Sequence, residues 1–136
     1  MLNQSSNPSI GVLQSFILAD YIYVDAMTGK KIIAGTFTRL LAPEFPTEFS
    51  RITFAYLCLS GLRGKHKLKI RFIDLSDDSV LMESSNLEFE NSDPLQSCEH
   101  IIEVHPFPMP HPGWFEFVAF CDENHIGRIR MELAKQ

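Results

Sequence analysis

The chain of 136 residues has few cysteines, and their spacing excludes several kinds of site. Cys58, Cys98 and Cys121 lie far apart in sequence, so the Cys-x-x-Cys pairs that bind zinc or exchange disulfides are missing. Three thiols cannot all pair within one chain. We therefore interpret them as reduced, mostly buried residues of a cytoplasmic protein.

Long apolar runs are also missing. No segment has the length of continuous apolar sequence that a membrane-spanning helix needs. The opening residues, "MLNQSSNPSIG", have no Lys or Arg before an apolar stretch and are unlike a secretory signal. We interpret residues 1–14 as a flexible N-terminal tail and residues 15–136 as a single domain, with no membrane partner.

Basic residues are outnumbered. Lys and Arg total 12 against 17 Asp and Glu, which gives a net charge of −5. An acidic chain has no general attraction to phosphates, so no nucleic-acid partner is expected. The sequence also lacks a glycine-rich phosphate loop and a Gly-x-Ser-x-Gly elbow, the signature of one class of nucleophilic hydrolases. No cofactor and no catalytic residue are predicted.

What the chain does have is alternation. In residues 67–72 and 127–133, apolar side chains take turns with charged ones, which is typical of strands with one buried face. Residues 52–59 and 114–121 are apolar on nearly both faces and should be covered on each side. Turn signals recur about every ten residues. The sequence predicts one all-β sandwich of about seven to nine mostly antiparallel strands, immunoglobulin-like or jelly-roll-like.

The segment "SVLMESSNLEFE" changes its phase near Ser84 and Ser85, so that a single strand would turn its apolar set to the wrong face. We predict a bulge or corner at this point.

Charge is unevenly distributed, with a basic stretch at 63–71 followed by an acidic one at 74–103. A hairpin through "DLSDDS" would place Lys69 or Arg71 opposite Glu83 and pair the charges across the ladder. The alternative is a basic groove on the outer face of one sheet.

Carboxylates in two turns form the first candidate metal site. Asp74, Asp77 and Asp78 lie in "DLSDD", and Asp122 begins the last turn, "DENH". If both turns were at one end of the sandwich, their oxygens would suit calcium. Aspartates are equally common in ordinary turns, where their side chains satisfy local backbone groups.

Histidines form the second candidate. His105, His111 and His125 would provide zinc ligands if the fold gathered them, although their spacing matches no ligand motif. The structural alternative is a stiff proline-rich crossover at 105–112 and a four-residue turn before His125.

Asp20 is unusual because apolar residues surround it in "ILADYIYV". By alternation it shares a face with Leu18, Ile22 and Val24. A carboxylate that faces a core must be hydrogen-bonded or ion-paired, so we expect Asp20 to have a dedicated partner.

Three stretches together resemble a known family: "LADYIYVD…TGKKIIAGTF", "HKLKIRFID" and "PGWFEFVAFCDENHIGRIRMEL". They are similar to a bacterial family of short stand-alone proteins labelled as a domain of unknown function, over residues 15–134. The resemblance implies a small β-sandwich and brings no activity, ligand or catalytic residue.

These observations favour a non-catalytic binding or assembly module of the bacterial cytoplasm, with a protein partner or with itself. A homodimer is expected because open sandwiches leave edge strands that need cover. Two alternatives stay open. One is a calcium- or zinc-dependent binder or enzyme built on the end loops, and the other is a structural component of a phage-like or secretion-type assembly.

Overall fold

The computed structural model describes residues 11–136. Twelve strands lie within this range: β1 (Val12–Val24), β2 (Lys31–Thr36), β3 (Arg39–Ala42), β4 (Thr47–Phe49), β5 (Thr53–Ser60), β6 (Gly64–Asp74), β7 (Val80–Glu83), β8 (Leu87–Asn91), β9 (Cys98–Val104), β10 (Phe107–Met109), β11 (Gly113–Cys121) and β12 (Asn124–Lys135). Strand β1 begins inside the predicted tail, and residues 1–10 of that tail lie outside the described residues.

Two sheets form the predicted sandwich. One has the order β2-β1-β5-β9, and the other has the order β3-β12-β11-β6-β7, with β8 also paired to β6. Short strands β4 and β10 form a separate ladder. All of these pairings are antiparallel except that of β12 with β3.

The described strands outnumber the predicted seven to nine for a clear reason. The segment 79–90 divides into β7 and β8 at the phase change, and residues 31–41 divide into β2 and β3. At the first break, the Ser84 hydroxyl accepts the Ile70 N–H at 2.8 Å, and the register along β6 shifts by one residue between β7 and β8, which confirms the predicted bulge. Strands β4 and β10 form within proline-rich segments that carry no alternation to reveal them.

The core lies between the sheets and is dominated by phenylalanine. The ring of Phe72 on β6 is fully buried. Its centroid lies 4.5 Å from that of Phe107, 4.6 Å from Phe117 and 5.3 Å from Phe115. The alternation predicted for β6 therefore places Phe72 at the centre of the core.

Strand β11 is buried on its inner face, but the outer face, which the sequence also predicts to be covered, leaves Trp114 54% exposed. Farther along the same outer face, Val118 is buried, although the strands of residues 11–136 form no third layer over it. Its cross-strand neighbours are Arg71 on β6 and Arg128 on β12, so long arginine side chains flank it on both sides. The aliphatic parts of such side chains can cover apolar surface while the charged ends stay in water.

Acidic partners neutralise the basic residues of this outer face. Arg71 pairs with Glu83 at 2.5 Å, and Lys69 contacts both Glu83 and Glu123. Residue Arg71 lies directly opposite Glu83 in the β6–β7 ladder, which confirms the predicted cross-strand pairing. Around Lys69 and Arg71 the outer face is thus a network of ion pairs.

Among residues 11–136, no helix has the length and apolar character needed to cross a membrane.

Candidate functional site

The β1–β2 hairpin extends away from the rest of its sheet. Strand β1 pairs with β5 as far as Ala19, and from Ala19 to Val24 it pairs with β2. We call residues 20–36 the arm. Its tip is closed by a hydrogen bond of 2.8 Å from the Asp25 N–H to the Lys30 carbonyl.

The arm folds back across its own sheet. At its tip, Lys31 pairs with Val24, whereas Glu99 on β9 lies at the level of Ser15, nine residues away along β1. In a straight sheet that offset would be about 30 Å. Instead, Lys31 Nζ contacts Glu99 Oε1 at 2.9 Å. The Tyr56 hydroxyl also donates to Glu99, so the arm tip is fixed over the outer face of β5 and β9.

Asp20 lies at the base of the arm and has the partner that its position predicts. Arg51 donates to Asp20 Oδ1 at 3.2 Å, and the carboxylate is about one-third exposed. Facing it is Gly35, whose φ of 77° lies in the left-handed region. A Cβ atom on Gly35 would approach Asp20 Oδ2 to 2.6 Å. Glycine is therefore required where the arm bends.

Replacing Gly35 with alanine is expected to destabilise the protein by at least about 1 kcal/mol, because the new Cβ meets both positive φ and the Asp20 carboxylate. Gly29 is a matched control, since its φ is 72° and nothing lies within 4 Å of its would-be Cβ. Urea unfolding of G35A and G29A measures the difference. Equal losses in the two variants would contradict the role given to Asp20.

The outer face of the arm presents three large uncharged side chains that are unusually open. Tyr21, Tyr23 and Ile32 are 53%, 54% and 55% exposed. Their ladder partners place them side by side with Ala34, and the two tyrosine rings stack with centroids 6.1 Å apart. We call these four residues the tyrosine patch. The sequence does contain a sign of this patch, because Tyr21 and Tyr23 alternate along the strand. The prediction for β1, however, concerned Asp20, which lies on the opposite face.

The two aspartate turns do not share an end of the sandwich. Strands β6 and β11 are antiparallel, with Asp74 opposite Phe115 and Leu68 opposite Cys121. The turn at Asp122 is therefore about 20 Å from Asp74 along the strands. The predicted joint calcium site is not assembled by this arrangement. Within the first turn, Asp77 accepts hydrogen bonds from the N–H and hydroxyl of Ser79.

Histidine 111 does meet one of the predicted carboxylates. Its Nε2 lies 2.7 Å from Asp74 Oδ2, and its Nδ1 lies 2.6 Å from the Pro112 carbonyl. Both partners are acceptors, and this arrangement favours a proton on each ring nitrogen. Ser76 is 3.4 Å from the same Nε2 and donates to Asp74. Ser76 and Asp74 both face Nε2, whereas a nucleophilic triad places the hydroxyl and the carboxylate on opposite ring nitrogens, so the trio lacks that geometry.

The electrostatics of this pair follow from its contacts. Burial opposes ionisation of Asp74, but the donors from Ser76 and His111 outweigh it and lower the pKa of the carboxyl. The Pro112 carbonyl, followed by Asp74, raises the pKa of His111 against a smaller opposing effect of burial. The arrangement is an ion pair that ties the β10–β11 connection to the end of β6.

The other predicted histidines lie elsewhere. His105 is exposed between β9 and β10, and His125 lies opposite Phe120, at the far end of β11 from His111. The zinc site predicted from these three residues is therefore not assembled. The turn before His125 is also shorter than the predicted four residues, because Cys121 pairs directly with Asn124.

Asp122 is committed to a contact that the sequence did not reveal. Its Oδ2 lies 2.5 Å from His66 Nδ1, and its Oδ1 accepts the Lys67 N–H at 2.9 Å. Burial of the His66 ring opposes protonation, but Asp122 and the Arg63 carbonyl outweigh it and raise the pKa of His66. Next to them, burial raises the pKa of the Cys121 thiol to about 11.

Fold and surface together define a β-sandwich module with a tyrosine-bearing arm. The chain belongs to a family described as "Family of unknown function (DUF6941)", which matches residues 14–134. The predicted resemblance to a family of unknown function is thereby confirmed. The comparison with curated protein sequences gave no match.

Several solved structures are similar to this chain at low sequence identity. Pseudomonas fluorescens alkylpurine DNA glycosylase AlkC, bound to DNA containing an abasic site analog, has a TM-score of 0.54 and 8% identity, covering 93% of this chain and 31% of that one. A Listeria innocua β-glucosidase in complex with isofagomine has a TM-score of 0.49 and 9% identity, covering 88% and 16%. An immunoglobulin-like protein from Pseudomonas aeruginosa has a TM-score of 0.41 and 10% identity, covering 90% and 95%. The chain thus spans less than a third of AlkC, and the likeness concerns the fold alone.

Proposed function

We propose that the chain is a non-catalytic assembly module of the cytoplasm whose partner is a second copy of itself, bound arm against arm through the tyrosine patch. The observation that carries this proposal is the side-by-side exposure of Tyr21, Tyr23 and Ile32 on an element that the protein holds in place. Tyrosine is favoured at interfaces because its ring supplies apolar contact area and its hydroxyl tolerates water.

The lack of charge on the tyrosine patch favours a second copy of the chain as its partner. A two-fold axis brings each surface patch against itself, so any charge on the patch would face the same charge. The chain has a net charge of −5, and the edge strands β8 and β9 each expose two glutamates. The tyrosine patch has no formal charge, so two copies can approach there without like-charge repulsion.

The expected complex is weak. Four side chains cover much less than the roughly 1,200 Å² of buried surface that is typical of stable interfaces. We therefore expect a dissociation constant on the order of 10–100 µM, a range in which concentration controls the dimer.

Sedimentation equilibrium across that concentration range tests the proposal. Wild type should change from monomer to dimer, and Tyr23→Glu should weaken association at least tenfold because it places two like charges in the interface. Trp114→Glu is the matched control, since Trp114 is 54% exposed on the other sheet, and it should dimerise like wild type. A wild type that stays monomeric throughout, or equal effects of the two substitutions, would refute the proposal.

The competing functions predict different results. A two-fold arrangement closes at the dimer, so rings or tubes in electron micrographs would favour the structural-assembly alternative instead. The AlkC structure holds DNA that contains an abasic site analog. In this chain Lys31, Arg51, Lys69 and Arg71 are paired with carboxylates, and the proposal includes no nucleic acid.

A further inference from the structure

Three different donor side chains converge at the turn between β11 and β12. His66 Nδ1, Cys121 Sγ and Asp122 Oδ2 all lie within 4.8 Å of one another. His66 is 6% exposed and Cys121 is 3% exposed. Nitrogen, sulfur and carboxylate oxygen are the donors that zinc takes from proteins, and the set differs from every candidate that the sequence suggested.

Backbone groups form hydrogen bonds with the polar atoms of His66 and Asp122 that do not face the other two donors. His66 Nε2 donates to the Arg63 carbonyl at 2.8 Å, and Asp122 Oδ1 accepts the Lys67 N–H at 2.9 Å. The Asp122 N–H also donates to the Lys67 carbonyl at 2.9 Å. Such outer contacts orient metal ligands in known sites: one ring nitrogen is held by a carbonyl, and the other faces the metal.

We infer that His66 Nδ1, Cys121 Sγ and Asp122 Oδ2 form a zinc-binding site. On binding, the proton on Nδ1 and the thiol proton pass to solvent, and the hydrogen bond between His66 and Asp122 is replaced by one bond from each residue to the metal. Water is the fourth ligand. The balance is one Zn²⁺ bound and two protons released for each chain.

An adjoining cleft gives solvent access to the site. A space of about 530 Å³ opens beside His66 and Asp122, between the beginning of β6 and strand β8. Phe89 lines it on β8, and its ring centroid is 5.8 Å from that of His66. The metal could therefore exchange with solvent while Cys121 stays buried. A soft sulfur donor makes calcium a poor occupant, which distinguishes this site from the predicted aspartate site.

Cobalt(II) is the probe, because it replaces zinc and reports its ligands by absorption. Chelator-treated protein titrated with Co²⁺ should bind one ion per chain, with a sulfur-to-cobalt charge-transfer band and the visible bands of tetrahedral coordination. Added Zn²⁺ should abolish both sets of bands. Cys121→Ser should lose the charge-transfer band and bind at least tenfold more weakly, while folding as wild type by circular dichroism.

Cys58→Ser is the matched control, since Cys58 is a half-buried thiol on β5 whose Sγ contacts Gln14. It should keep both the band and the affinity. His66→Gln tests the nitrogen ligand. Asp122→Asn tests the oxygen ligand, because it removes the carboxylate charge and retains the size of the side chain. The inference is overturned if wild type gives no charge-transfer band, or if the band survives in Cys121→Ser. Loss of the band in Cys58→Ser would place the metal elsewhere and would overturn it equally.

Discussion

Replacing Phe72 with alanine is expected to lower the free energy of unfolding by about 3–5 kcal/mol, the usual range for an aromatic residue removed from a core. The ring lies between Phe107, Phe115 and Phe117, so its loss opens a cavity among three aromatic neighbours. These neighbours lie on β10 and β11, and the damage would therefore reach both the main sheet and the short β4–β10 ladder.

Two further variants make this prediction decisive. Phe72→Leu refills most of the cavity and should cost less than half as much as alanine. Trp114→Ala removes an even larger ring, but that ring is about half exposed, and we expect a loss below about 1 kcal/mol. Urea unfolding followed by far-ultraviolet circular dichroism gives all three values. If Trp114→Ala matched Phe72→Ala, stability would not depend on the phenylalanine core.

The sandwich could be predicted because strand alternation is a local property. Residues 67–72 show it most clearly, and the structure places Leu68, Ile70 and Phe72 in the core and Lys69 and Arg71 in the outer ion-pair network. For Asp20 the same reasoning found the partner, Arg51, but misplaced the carboxylate: it is about one-third exposed, and Val24 on the same face is 55% exposed, so this part of β1 does not face the core.

The last turn was predicted wrongly because its chemistry is unusual. Two-residue hairpin turns of this type normally show Asn-Gly or Asp-Gly, since both central residues need positive φ. Here Asp122 and Glu123 adopt φ values of 52° and 69° without glycine. Contacts of Asp122 with Lys67 and of Glu123 with Lys69 hold them in place. Those contacts join positions more than fifty residues apart, which no local pattern records.

The same limit applies to both candidate sites. Tyrosine at positions 21 and 23 predicts a strand, but the exposure of that face depends on the arm folding back to Glu99. The donors of the proposed zinc site come from β6 and from the β11–β12 turn, and their meeting depends on sheet order. Sequence alone identified Asp122 as a candidate and missed His66, because a histidine in a basic stretch has no spacing to connect it with that turn.

Replacing Asp74 with alanine is expected to lower the free energy of unfolding by about 2–3 kcal/mol near pH 6, and the loss should depend on pH. The carboxylate is almost fully buried and accepts hydrogen bonds from Ser76 and His111. Hydrogen bonds to a charged group are each worth about 1.5–3 kcal/mol, and solvent around the exposed imidazole reduces the contribution of His111.

The direction of the pH effect follows from the two shifts. The pKa of Asp74 is lowered on folding, so its contribution is present above the unfolded value of about 4 and is lost as pH falls through the folded value. The pKa of His111 is raised, so its contribution is complete below about 6.5 and is lost as pH rises through the folded value. The ion pair is therefore strongest between about pH 4 and pH 6.5.

Urea unfolding at a series of pH values measures this window. The difference in free energy of unfolding between wild type and D74A should be largest near pH 5–6. It should shrink in acid, and in alkali it should lose the part that His111 contributes. His111→Gln isolates the alkaline side, and its deficit should fade as pH rises. His105→Gln is the matched control, because His105 is exposed in the same proline-rich segment, and it should show no such trend. If the loss of unfolding free energy in His111→Gln instead grew with pH, the imidazole would act in its neutral form. That result would contradict the hydrogen bonds that both of its ring nitrogens are assigned to donate.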